Sequence, residues 1–314
     1  MRTCGAFANR KWSLPVPEPT TIVLRDVTLR DGLQDEDPIP TEHKLAIFEA
    51  LVAAGVRDLE LTSFVRPDRV PATADAEALC AATAGRDVVR WGLVLNERGA
   101  MRALEAGLTD LQFVISVSDA HSHANAGRST AEAVEALTAV CEIAGAAAAR
   151  VEVTLATAFG CPFEQRVDPD RVIDVSTRAI AAGVTAVSLA DTVGTAVPAD
   201  VASLVSRVTA EVTPHVGAHF HDTRGLGVAN ALAALDAGVN RLDASAGGLG
   251  GCPFAPGASG NVALEDLAHV CEESGLDTGL SVPAVITAAE MACDAVGRTL
   301  TTHVGVAGPR FANR

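Results

Sequence analysis

The sequence predicts an α/β fold, a TIM (β/α)8 barrel with a small C-terminal helical cap. Three observations predict it. Eight short runs rich in β-branched residues recur at 22–29, 58–64, 89–95, 111–117, 150–156, 186–190, 216–221 and 241–244. Alanine-rich stretches with helical spacing fill most of the gaps, as at 41–54, 130–148, 172–182, 201–212 and 227–237. Several gaps end in an Ala-Gly-Val or Ala-Gly-Leu step, at Gly55, Gly107, Gly183 and Gly238, where glycine supplies the left-handed cap before the next strand. Strand–helix units of this size pair in parallel, and eight of them suit closure into a barrel. An open doubly wound sheet is the competing arrangement.

Taken in order, residues 1–21 hold three prolines and no periodicity, and read as an arm ahead of the fold. The barrel runs over 22–263. Residues 264–314 look helical and then irregular, a C-terminal helical extension that packs as a cap.

Hydrophobic residues make up 48% and charged residues 20%, a globular balance with ample core material. The formal net charge is -15 at pH 7. Such a chain repels nucleic acid and anionic membranes, so neither is expected as a partner. An anionic substrate then needs a metal or local arginines. Cys4, Cys80, Cys141, Cys161, Cys252, Cys271 and Cys293 are scattered, with no C-x-x-C pair. That argues against a disulfide framework or structural zinc, and for a reducing compartment, the cytoplasm. The N-terminus shows no signal-type apolar region, and alanine runs such as 144–149 are too short to span a bilayer. The two lysines are Lys11, in the arm, and Lys44, in a predicted helix, which argues against Schiff-base chemistry.

Active sites of such barrels lie at the C-terminal ends of the strands. Arg30, Asp31 and Gln34 follow the first strand, Glu60 lies in the second, and Asp191 ends the sixth. The seventh ends in His219-Phe-His221. Residues two apart on a strand share a face, so both imidazoles can face the axis and bind one metal. Asp31 and the side-chain oxygen of Asn261 could complete a mixed nitrogen and oxygen set. The oxygens favour Mg²⁺ or Mn²⁺, and the two imidazoles leave Co²⁺ or Zn²⁺ open. Four protein ligands on an octahedral ion leave room for a chelating substrate. The segment GGLGGCPFAPGASGN (247–261) lacks the pattern of a phosphate-binding P-loop. It reads as a flexible loop or as a mobile lid carrying Cys252 as an acid or base.

The motifs RDVTLRDGLQDE (25–36), ELTSFV (60–65), GCPFE (160–164), SLADTVG (188–194), HFHDTRGLGVAN (219–230) and GGLGGCPFAPGASGNVALEDL (247–267) occur in this order. The sequence resembles the 3-hydroxy-3-methylglutaryl-CoA lyases from about residue 22 to about residue 304. GLGGCPFAPGASGN is the most specific piece; the R-D-G element is shared with related synthases and aldolases. The resemblance implies a homodimer acting on an acyl-CoA. It implies a metal on Asp31, His219, His221 and Asn261, Arg30 stabilising an enolate oxygen, Glu60 and Asp191 as supporting carboxylates, and Cys252 as the lid acid/base. The base stays open between Asp31 and His219 acting through water. A related aldolase or Claisen-type synthase, working on a 2-oxo or hydroxy acid without CoA, is the alternative.

Four positions depart from the pattern of those lyases. Leu29 stands where they usually have proline, Asp37 and Thr299 stand near usual lysines, and Glu152 aligns with a site arginine. The expectation is an intact metal chemistry with an altered substrate pocket.

Overall fold

The computed structural model describes residues 21–251 and 260–310. Eight parallel strands close into a barrel in chain order. They are β1 (Val23–Asp26), β2 (Asp58–Ser63), β3 (Val89–Val94), β4 (Asp110–Ser116), β5 (Arg150–Ala156), β6 (Val187–Asp191), β7 (Val216–Phe220) and β8 (Arg241–Ala244). Closure is made where β8 pairs with β1, Arg241 opposite Val23 through Ala244 opposite Asp26. The crossovers hold α1 (Thr41–Ala53), α2 (Ala76–Ala82), α3 (Glu97–Glu105), α4 (Asp119–Ala126), α5 (Thr130–Ala146), α6 (Pro169–Ala182), α7 (Pro198–Glu211) and α8 (Gly227–Asp236). Helices α9 (Leu264–Glu273), α10 (Val282–Ala295) and α11 (His303–Ala307) follow the barrel, and α10 packs on α1. No described helix is long and apolar enough to cross a membrane.

Strand alternation divides the interior in two. Outward residues such as Leu24, Leu59, Leu61, Phe113, Val153, Leu189 and Leu242 are buried under the helices. Each such side chain contributes about 1.5–3 kcal/mol by leaving water. Inward residues are largely polar, among them Arg25, Glu60, Gln112, Glu152, His219 and Asp243, all buried. The outer ring therefore holds the barrel together, and the axis is free to carry chemistry.

The expected glycine caps are in place: Gly55, Gly107, Gly183 and Gly238 all have positive φ, from 84° to 105°. The first strand is shorter than expected. Asp26 accepts hydrogen bonds from the backbone N–H and the hydroxyl of Thr28, at 3.1 and 2.6 Å. That capture ends β1 and turns the chain into a π-helical turn, Thr28–Gly32. Such turns reorient side chains locally; here the turn carries Arg30 and Asp31.

Candidate active site

The strand ends surround a cavity of about 1350 Å³ whose lining includes Arg30, Asp31, His219 and His221. The two imidazoles project inward from β7 and the residue after it, with ring centroids 5.3 Å apart. Asp31 Oδ2 lies 3.8 Å from Nε2 of each histidine. One ligand atom from each of the three residues falls within 4.8 Å of the other two. Ligands around an octahedral ion with bonds of ~2.1 Å are roughly 3–4 Å apart, so this is the spacing of a metal cradle.

Asn261 is delivered to the same place by a bridge between its backbone and that of His221. Its Nδ2 donates to Asp31 Oδ2 at 2.8 Å and to the Leu249 carbonyl at 3.0 Å. The amide nitrogen, not the oxygen, thus faces Asp31. Oδ1 is buried with no hydrogen-bond partner. A buried acceptor left unpaired costs about 1–3 kcal/mol. Asp31, His219 and His221 bring one carboxylate and two imidazoles to one point, a donor set that fits a divalent cation.

Arg30 is held beside the cradle. Its Nε donates to Glu60 Oε2 at 2.6 Å, and Nη1 pairs with Asp31. Glu60, on β2, therefore aims the guanidinium. Burial opposes the charge on Asp31, but Arg30 and the two histidines outweigh it and hold the carboxyl well below its usual range. Burial lowers the His219 pKa, yet the hydrogen bond its ring donates to Asp243 and the charges of Asp31 and Asp243 raise it overall. The Glu60 carboxyl is pushed up, first by burial, against the pull of Arg30. Asp191 ends β6 within electrostatic reach of His221. Its two oxygens accept from the backbone N–H groups of Thr195 and Ala196, at 2.8 and 3.0 Å, so it orders its own loop. Cys252 lies outside the described residues. Lys44 is buried on α1 with its ammonium bonded to the Ala72 carbonyl at 2.6 Å and to Asp75 at 2.5 Å, away from the axis.

Two features escaped the reading of the sequence. Asp243 Oδ2 lies 3.4 Å from Nδ1 of His219, where it fixes the ring with Nε2 toward Asp31. Alternation along β8, applied to Arg241 and Asp243, would have found it. Below the cavity, Arg25 donates to Glu152 at 2.9 Å and to Gln112 at 3.2 Å, and pairs with Asp58 at 2.5 Å. Arg241 also pairs with Glu152. A Cβ on Gly217 would collide with the Arg241 guanidinium, so this glycine is what admits the arginine. Glu152 therefore does not reach the cavity as a bare negative charge; two arginines neutralise it.

A family profile described as HMGL-like matches residues 21–292. The chain belongs to the HMGL-like family. Hydroxymethylglutaryl-CoA lyase YngG of Bacillus subtilis is 36% identical over 92% of this chain and 97% of its own. (R)-citramalyl-CoA lyase of Chloroflexus aurantiacus is 39% identical over 94% of this chain and 96% of its own. The solved structure of an HMG-CoA lyase from Acinetobacter baumannii, in complex with coenzyme A and 3-methylmalate, superposes with a TM-score of 0.89 at 36% identity. It covers 94% of this chain and 97% of its own. Within this HMGL-like barrel the GCPFE motif has a structural task. Glu164 accepts from Ser118 Oγ at 2.7 Å and the Ala120 N–H at 3.1 Å, tying the loop after β5 to the start of α4.

Proposed function

We propose that the protein is a divalent-metal-dependent carbon–carbon lyase acting on a 3-hydroxy-3-methyl acyl-CoA that bears a carboxylate. The observation that carries this reading is the convergence of Asp31, His219 and His221 on one point beside Arg30, in a chain of the HMGL-like family. The first substrate is 3-hydroxy-3-methylglutaryl-CoA, cleaved to acetyl-CoA and acetoacetate.

Asp31, His219, His221 and Asn261 would hold the ion, Mg²⁺ or Mn²⁺ first and Co²⁺ or Zn²⁺ next. When bound it supplies Lewis-acid polarisation of the substrate oxygens. The residues do the rest. Asp31, or His219 through a water, takes the tertiary hydroxyl proton. The bond between C2 and C3 breaks, and its electron pair passes into the thioester as an enolate. Arg30, aimed by Glu60, meets the enolate oxygen. Asp191 keeps its strand-end loop in shape. Cys252, on the glycine-rich loop, gives a proton to the enolate carbon and releases acetyl-CoA. A homodimer in the cytoplasm belongs to the same reading; the described cysteines are free thiols, which supports a reducing compartment.

A second substrate is favoured by the 39% identity to the citramalyl-CoA lyase. Citramalyl-CoA has the same thioester, methyl and tertiary hydroxyl, with its carboxylate one methylene nearer. Its cleavage gives acetyl-CoA and pyruvate by the same steps. The test is incubation of the protein with each thioester and Mg²⁺ or Mn²⁺, with acetyl-CoA and the ketone product quantified. Turnover that a chelator abolishes is expected. Absence of turnover of both thioesters by metal-loaded protein overturns the reading. Replacing Cys252 by Ser should slow kcat by roughly 10²-fold with metal content unchanged; an unchanged kcat removes it from the mechanism.

A further inference from the structure

The ladder between β1 and β8 breaks off at the site. Asp26 faces Ala244, and the Val27 N–H donates to the Ala244 carbonyl at 2.8 Å. In an evenly spaced parallel ladder the next bond runs from the Ala246 N–H to the Val27 carbonyl. The Val27 carbonyl is turned elsewhere. It accepts from the N–H groups of Arg30 and Gly32, at 3.2 and 3.0 Å, and so closes the turn that presents Arg30 and Asp31. Ala246 is buried, and a buried N–H without a partner is costly. The hydroxyl of Thr28 takes the carbonyl's place, accepting from the Ala246 N–H at 2.8 Å.

The hydroxyl is free to accept there because its own proton is committed. It donates to Asp26 Oδ2 at 2.6 Å, while Asp26 Oδ1 holds the Thr28 N–H at 3.1 Å. Both residues are fully buried. Burial pushes the Asp26 carboxyl up to about 7, against the bonds from Thr28 and the nearby Ala246 N–H. The segment that the hydroxyl grips belongs to the far side of the cradle. Ala246 follows Ser245, whose backbone bridges to Ala263, and leads into Leu249, whose carbonyl holds the Asn261 amide at 3.0 Å. Asn261 bridges in turn to His221. The turn and this segment lie so close that a Cβ on Gly32 would come within 2.7 Å of Ser245 Oγ. Gly247 is held from the other side, donating to Glu265 of α9 at 3.1 Å.

We propose that Thr28, aimed by Asp26, is a positioning residue of the active site: its hydroxyl clamps the turn that carries Arg30 and Asp31 to the segment that holds Asn261, and so sets the spacing between the two halves of the cradle. The inference rests on the reading of the cradle and the reaction given above, and adds the group that keeps its parts in register. Thr28 is fully buried and does not line the cavity, so it acts only through the residues on its turn. Displacing such groups by about 1 Å costs on the order of 10²-fold in rate.

Calorimetric binding of Mn²⁺, and cleavage of the two thioesters at saturating Mn²⁺, test this at about pH 8, where the Asp26 carboxyl is mostly ionised. Thr28→Val keeps the shape and removes the hydroxyl. It should raise the Kd for Mn²⁺ roughly tenfold and lower kcat roughly tenfold, with KM within about twofold of the wild type. Thr28→Ser, which keeps the hydroxyl, should restore most of both. In Asp26→Asn the oxygen stays on the Thr28 N–H, so the amide nitrogen faces the hydroxyl and competes with Ala246; a loss of roughly threefold in Mn²⁺ affinity is expected. Thr83→Val is the control for stability alone. It removes another buried hydroxyl, bonded to the Leu79 carbonyl at 2.8 Å at the end of α2, and should leave Mn²⁺ affinity and kcat unchanged. Wild-type Mn²⁺ affinity or kcat in Thr28→Val, an equal loss in Thr28→Ser or in Thr83→Val, or a wild type that binds no Mn²⁺ overturns the proposal. If circular dichroism shows Thr28→Val unfolded, Asp26→Asn decides, and unchanged Mn²⁺ affinity there overturns it. Turnover is a separate readout. Weakened Mn²⁺ binding in Thr28→Val, with no cleavage of either thioester by the wild type, would leave the clamp standing and remove the reaction.

Discussion

The cradle at the strand ends and the ion network beneath it are both polar clusters buried in one barrel. They are organised in opposite ways. In the network opposite charges alternate: Arg25 lies between Asp58 and Glu152, and Glu152 lies between Arg25 and Arg241. In the cradle acceptors converge. Asp31 and the two Nε2 atoms face one another, and the buried Asn261 oxygen has no partner. Alternating charges largely neutralise one another, although Nε and Nη2 of Arg241 are left without a hydrogen bond. Three ligand atoms that converge on one point give a cation a place to join them. The arrangement of a polar cluster, more than its polarity, separates a structural role from a binding one.

The largest effect that could break this contrast is at His221. His221→Ala should lose metal, measured by elemental analysis, and lose turnover with it. Full activity in metal-free His221→Ala protein would falsify the ligand assignment. Next is Glu152→Arg. From sequence alone this change looks like the repair of an anion site. With Arg25 and Arg241 on either side it should instead cost about 3–5 kcal/mol of stability, read from a denaturant midpoint. The charge swap Arg25→Glu/Glu152→Arg should recover part of that loss. A Glu152→Arg protein of wild-type stability with a raised kcat/KM would move Glu152 from the network into the substrate pocket. Gly217→Ala tests the same network by volume. A Cβ there displaces Arg241, and overpacking of this kind costs about 1–3 kcal/mol. An unchanged midpoint would show that the guanidinium has room to move. The smallest effect is at Asp243, which touches both regions. Asp243→Asn should weaken metal binding roughly 10–100-fold, as removal of a partner behind a ligating histidine does, with the fold kept. Unchanged metal affinity would detach Asp243 from the cradle.

Much of the site was legible because it is written in short-range patterns. Strand periodicity alone put His219 and His221 on one face, and the structure places both rings at the axis. The order of strands and helices followed from alternating periodicities and from glycine caps. Other features were not legible. The end of β1 depends on one side chain, Asp26, competing for backbone that a β-branched run would otherwise keep extended. The amides of Thr195 and Ala196 that Asp191 accepts from are set by the loop after β6, which its strand-end position alone does not reveal.

The sequence by itself determined the barrel, the family and the two histidines of the cradle, since each rests on periodicity or on motifs of a few consecutive residues. Tertiary structure decided what the remaining charges do. Glu152 meets Arg25 from 127 positions away and Arg241 from 89. Arg66, Arg98 and Arg128, which line one cavity, come from the separate crossovers after β2, β3 and β4. A charge has no sign of purpose along the chain, because Coulomb energy depends on distance in space, and barrel closure sets that distance.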